Sequence, residues 1–197
     1  MAEYKLKTPI SEEEIRKLRV GDIVYISGII VSARDKAHMK ALKEDLPEEL
    51  KKYLKDGVVY HVGPVVKKIN DKLIPVSAGP TTSIRMEPVE HEFIKRFKVR
   101  VVVGKGGMGD KTLSALKEFG AVYAHWPGGC GALAVNAIKN VKKVFFLEEL
   151  GVPDAFWVLE VENFGPLLIT MDSHGGSIHK EVSEKVERNF QQILEQL

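Results

Sequence analysis

Cysteine is nearly missing: Cys130 stands alone among 197 residues. A lone thiol excludes an intrachain disulfide and fits a reducing compartment. With no Cys-x-x-Cys and no His/Cys ligand pair, this chain by itself holds neither an iron–sulfur cluster nor a structural zinc, so no metal ligand is assigned. No apolar run is long enough for a bilayer and no leader-like segment opens the chain, so a cytoplasmic protein without membrane contact is expected. An excess of one charge is lacking too. Lys and Arg number 29 against 27 Asp and Glu, a net +2 with both signs mixed. Without a basic stretch, nucleic acid is not an expected partner. Internal repeats and low-complexity linkers are also missing.

What is present is an ordinary globular composition, 44% apolar and 28% charged. Ser11 and Glu14 form a capping box that opens a short helix. Ile23 to Ala33 is a β-branched run that reads as a buried strand. Pro47 precedes a helix over 48–54, and Asn70-Asp71 reads as a hairpin turn into a strand ending at Val76. Further strands are predicted over 98–103, 121–124, 144–147, 155–161 and 167–171. Helices are predicted over 89–97, 111–119 (ended by Gly120) and 132–138, with an amphipathic one from His179 to Leu197. Strands and helices alternate, which predicts an α/β fold in a single compact domain over 1–197.

The densest chemistry lies in Ser77-Ala-Gly-Pro-Thr-Thr-Ser-Ile-Arg85. A strand hands over to a helix there, and two hydroxyls and a guanidinium arrive beside backbone N–H groups. That set suits a carboxylate or phosphate, and the plainer alternative is Thr81 or Thr82 as an ordinary helix cap. Two more cations sit at comparable places. Lys105 lies on the turn Gly104-Lys-Gly-Gly-Met-Gly109, and Arg34-Asp35 follows the first long strand, with His38 one helical turn on. The glycine turn also spells a dinucleotide fingerprint. A Rossmann site wants an acid at the end of the next strand, where this chain has Ala124-His125-Trp126. Asp110 likewise spoils the P-loop register. The other histidines show no mutual spacing that suggests a metal.

Taken in order, Arg34-Asp-x-Ala-His38, Tyr60-x-x-Gly-Pro64, Gly79-Pro-Thr-Thr-x-x-Arg-Met86, the glycine turn, Gly128-Gly129, Glu149-Leu-Gly-Val-Pro-Asp-Ala155 and Val161-Glu-Asn-Phe164 resemble iron–sulfur hydro-lyases. The chain is similar to the β subunit of two-subunit class I fumarase and L-tartrate dehydratase, and to the C-terminal domain of single-chain class I fumarase. The likeness runs from about Pro9 to Gly176. It implies a swivelling β/β/α domain closing over a [4Fe–4S] cluster carried by a separate α subunit, hence a hetero-oligomer acting on a small dicarboxylate. It also implies that Arg34, Arg85 and Lys105 grip the substrate carboxylates, and that Thr81 sits at the reacting carbon in an acid/base role with a carboxylate from the partner, its hydroxyl needing activation by Lys105 or Arg85 to act as a base. His38, Thr82 and Gly106 would border the same pocket. Single-chain fumarases follow the lysine with Gly-Asn-Arg-Ser, where this chain has Gly-Gly-Met-Gly. Fumarate hydration in the tricarboxylic acid cycle is the first expectation. L-tartrate dehydration, a nucleotide enzyme built on Gly104–Gly109 and a non-catalytic interaction domain stay open.

Overall fold

The β-branched run from Ile23 becomes the spine of the fold. The computed structural model describes residues 1–70 and 72–195. Its strands are β1 (Glu3–Lys7), β2 (Ile23–Ser32), β3 (Val58–Tyr60), β4 (Val65–Ile69), β5 (Lys72–Ser77), β6 (Val101–Gly104), β7 (Val122–His125), β8 (Ile138–Phe145) and β9 (Phe156–Met171). Its helices are α1 (Glu12–Ile15), α2 (Asp35–Lys43), α3 (Glu48–Leu54), α4 (Glu87–Phe97), α5 (Asp110–Phe119), α6 (Gly131–Asn136), α7 (Leu147–Leu150) and α8 (Ile178–Leu194), with a 3₁₀ turn at Ser83–Met86.

Seven strands form one sheet in the order β1-β2-β3-β6-β7-β9-β8, and β9 also pairs with β2. The strands β2, β3, β6, β7 and β9 therefore close into a ring. Within it β2, β3, β6 and β7 run parallel, so their C-terminal ends share one rim. Alternation along each strand feeds two apolar cores. Ile30, Val58, Tyr60, Val101, Val103 and Trp157 fill the ring, while Val59, Val102 and Tyr123 face the outer helices through Phe93, Ile94 and Leu116. Burial on both faces explains the near-continuous apolar runs. Each fully buried Val or Leu contributes about 1.5–3 kcal/mol. The result is a mixed α/β fold in a single compact domain.

Several boundaries differ from the sequence reading. The strands expected at 155–161 and 167–171 are one 16-residue strand, β9. Through the residues between them, the left-handed Asn163 (φ 50°) and register shifts against β2 let the strand bend and stay paired. The strand expected at 144–147 begins at Ile138, where lysines occupy its exposed positions. Lys98 leaves the predicted strand to end α4 in a left-handed conformation, φ 54°. Of the expected Asn70-Asp71 turn, Asp71 lies outside the described residues, and Ile69 pairs with Lys72 across it. The terminal helix forms, but none of its described residues is buried; Val182, Val186 and Phe190 stay exposed. Gln196 and Leu197 lie outside the described residues. Among those described, no helix is long and apolar enough to cross a membrane.

Candidate active site at the strand ends

Parallel strands leave their C-terminal loops at one edge, the usual place for ligands in such sheets. Arg34 follows β2, His61 follows β3, Lys105 and Gly106 follow β6, and Gly128 follows β7. The Ser77–Arg85 stretch is threaded across these ends. The Tyr60 hydroxyl donates to the Ala78 carbonyl at 2.5 Å, and Ala78 N–H donates to the Gly131 carbonyl at 3.0 Å. Thr81 N–H donates to the His61 carbonyl at 2.8 Å and Ser83 N–H to the Lys105 carbonyl at 3.1 Å, so Thr82 and Lys105 form a β-bridge. No cap bond comes from the Thr82 side chain, which removes the simple capping role for it.

The cations differ in how far they are already paired. Arg85 Nη2 lies 2.9 Å from Asp35 Oδ2. Arg34 Nε stands 4.0 Å from Asp154 Oδ1, and neither atom has a hydrogen-bond partner among the described residues. Lys105, half-buried, makes no ion pair among the described residues and lies along Gly128, where an added Cβ would fall 2.7 Å from its Cδ. Two glycines are dictated by this geometry. A Cβ on Gly104 would sit 1.8 Å from Ser83 Oγ, and Gly106 has φ +78° with open space where its Cβ would be.

The resemblance implied that His38 borders the substrate pocket; the structure buries its side chain fully on α2. Its Nδ1 is 2.9 Å from the Arg34 carbonyl and its Nε2 is 3.1 Å from Glu90 Oε2. His61 brings its Nε2 to the same oxygen at 3.0 Å and its Nδ1 to Ser83 Oγ at 2.9 Å. Burial alone would strip charge from all three. It does lower the pKa of His61, whereas the Glu90 carboxylate outweighs burial at His38 and holds its pKa above the ordinary value. Burial would raise Glu90, but the two imidazoles outweigh it and hold that carboxyl far below the carboxylate range.

Sequence reasoning missed Glu90 and His61. The available signal was an acid inside an apolar stripe, since Glu90 shares the buried face of α4 with Phe93, Ile94 and Phe97. It also missed Glu87. The Gly109, Lys111 and Thr112 N–H groups donate to its carboxylate at 2.7, 3.0 and 3.2 Å, and Thr112 Oγ1 does so at 2.6 Å. The α5 N-terminus is therefore filled by the protein's own carboxylate, which counts against a phosphate seated on those N–H groups. A groove of about 520 Å³ between β5 and β8, lined by Leu73, Ile74, Val135, Ile138 and Val141, contains none of the rim cations.

Cations, hydroxyls and glycine backbone gather on one strand-end rim of this α/β domain, a set whose chemistry suits an anion. A family model described as "Fumarase C-terminus" matches residues 1–182, and the chain belongs to that family. It is 48% identical over 190 residues to "Putative L(+)-tartrate dehydratase subunit beta" of Methanocaldococcus jannaschii, covering 94% of this chain and 95% of the relative. It is 39% identical over 194 residues to "L(+)-tartrate dehydratase subunit beta" of Escherichia coli K12, covering 98% and 94%. It is 44% identical over 191 residues to "Putative fumarate hydratase class I" of Geobacillus stearothermophilus, covering 96% of this chain but 36% of that longer protein.

An iron–sulfur cluster does not fit this chain's donors. The half-buried Cys130 is its one thiol. His38, His61 and Glu90 place nitrogen and oxygen donors within 4.8 Å of one another, a set without sulfur.

Proposed function

We propose that residues 1–197 act as one β subunit of a hydro-lyase that interconverts fumarate and L-malate, completed by an α subunit that carries a [4Fe–4S] cluster. The observation that carries this reading is the gathering of Arg34, Arg85 and Lys105 with the Thr81 and Thr82 hydroxyls on one rim of parallel strand ends. Two carboxylates need at least two cationic grips. Lys105 makes no ion pair among the described residues, so its ammonium is available to an incoming anion, whereas Arg34, whose buried Nε faces Asp154 at 4.0 Å, would meet one through its terminal guanidinium N–H groups. The family membership and the hydro-lyase names of the relatives support the same class. Two relatives named as β subunits support a hetero-oligomer, and the same names favour L-tartrate dehydration as the second reading.

In this reading Arg34 and Lys105 hold the carboxylates and Arg85 fixes their direction. Thr81 meets the carbon-bound proton. A threonine hydroxyl is a poor base when free, so a cation must favour its deprotonated form during transfer, and Lys105, bridged through its backbone to the neighbouring Thr82, is the group proposed for it. The partner's cluster would supply the Lewis acidity for the departing hydroxyl. Calorimetric titration of the chain with L-malate, fumarate and L-tartrate at two salt concentrations tests the grip. Weak binding that falls with salt is expected. Binding of ATP or NAD, with none of dicarboxylates, would refute the reading.

A further inference from the structure

Three segments far apart in sequence meet at one buried carboxylate oxygen. Glu90 Oε2 receives His38 Nε2 at 3.1 Å and His61 Nε2 at 3.0 Å, and all three side chains are fully buried. Donor counting fixes the protons. The Arg34 carbonyl can only accept, so His38 Nδ1 carries a hydrogen. His38 Nε2 lies 3.1 Å from Glu90 Oε2 as an ion-pair contact outside hydrogen-bond geometry, and a bare ring lone pair there would face a buried carboxylate, so charge balance places a proton on it too and the ring is an imidazolium. His61 needs one proton, on Nε2 toward Glu90, because its Nδ1 faces the Ser83 hydroxyl, which can donate. One carboxylate and one imidazolium then balance. Asp35, at the start of α2, is the other acid whose field reaches both rings.

The two histidines also hold loops of the candidate site. His38 bonds the Arg34 carbonyl. The His61 backbone accepts from Thr81 N–H and donates to the Val103 carbonyl, while its ring meets Ser83, whose N–H donates to the Lys105 carbonyl. From these contacts we infer that His38, Glu90 and His61 are positioning residues, a buried ion-paired clamp that fixes Arg34, Thr81 and Lys105 relative to one another. The inference rests on the dicarboxylate reading of that rim. The clamp suits the task because a 3.0 Å hydrogen bond from His61 and a 3.1 Å ion-pair contact from His38 to one buried carboxylate leave little freedom to the loops they hold.

Two measurements test it. Nitrogen-15 NMR of the wild-type chain should show both ring nitrogens of His38 protonated at neutral pH and one nitrogen of His61 protonated. A singly protonated His38 would overturn the clamp, and so would stoichiometric zinc binding that Glu90→Gln abolishes, since a metal would then replace the protons. This measurement does not depend on the substrate. In the complex with its partner, Glu90→Gln should lower kcat for the hydro-lyase substrate on the order of 10- to 100-fold, through loss of alignment, while KM rises less. Ser83→Ala, which removes one outer bond, should show a smaller loss of the same kind. A folded Glu90→Gln complex with wild-type kcat would overturn the inference. If wild-type complex turns over neither malate nor tartrate while the imidazole pattern holds, the functional reading fails and the protonation result stands.

Discussion

Arg85 and Asp35 form an ion pair between the 3₁₀ turn and the start of α2, with Nη2 2.9 Å from Oδ2, and Arg85 remains about half exposed. The acid turns the guanidinium in a set direction and leaves its other N–H groups open. A lysine has no planar fork with which to meet Asp35 and a substrate carboxylate together. Arg85→Lys is therefore expected to lower kcat/KM of the complex on the order of 10- to 100-fold. Its melting temperature should be unchanged, because an exposed pair adds little stability. Steady-state kinetics and a thermal melt check both halves.

Thr81 is anchored through its N–H to the His61 carbonyl, so its hydroxyl is placed by backbone rather than by its own contacts. Thr81→Ala should reduce kcat by about 100-fold or more with little change in KM, as for a group acting on the proton in the transition state. Thr81→Ser should be milder. A variant that changes KM alone would make Thr81 a binding hydroxyl.

Glu87 closes the α5 N-terminus by accepting from three backbone N–H groups and the Thr112 hydroxyl. Glu87→Ala leaves those donors to solvent and removes a charge that complements the helix dipole. A loss of about 1–2 kcal/mol in denaturant unfolding is expected. An unchanged midpoint would show that water replaces the carboxylate without cost.

The buried clamp makes stability depend on pH in both directions. Glu90 is held low, so its contribution is present above the ordinary carboxylate value and is lost as pH falls toward its depressed one. His61 is also held low, so below the ordinary histidine value, about 6.5, the unfolded chain gains a proton that the folded chain refuses. His38 is held high, so its contribution is full below that value and is lost as pH rises through the raised one. Unfolding midpoints of wild type minus Glu90→Gln should therefore peak between the two limbs. A flat difference would contradict the ion-paired assignment.

Much of this was legible because it is local. The Ser11–Glu14 box, the strand at Ile23 and the left-handed Gly120 at the end of α5 follow from neighbouring residues. The strand-end placement of Arg34, Thr81, Arg85 and Lys105 was legible for the same reason. Glu87 at α5 was not, because its partners lie 22 to 25 residues away. His38 and His61 share Glu90 and meet edge to face at 5.3 Å, but they lie on different elements, so their spacing in sequence carried no sign of the clamp. The continuity of β9 was not legible either, because the pairing with β2 that sustains it is not local in sequence.

The most direct test of the central claim is turnover by this chain with its α subunit, prepared anaerobically and assayed in parallel with each subunit alone. The account predicts reversible conversion of L-malate to fumarate by the complex, kcat/KM higher for L-malate than for L-tartrate, and no activity from this chain alone. A complex inactive on both hydroxy acids, or full activity from this chain alone, would contradict it.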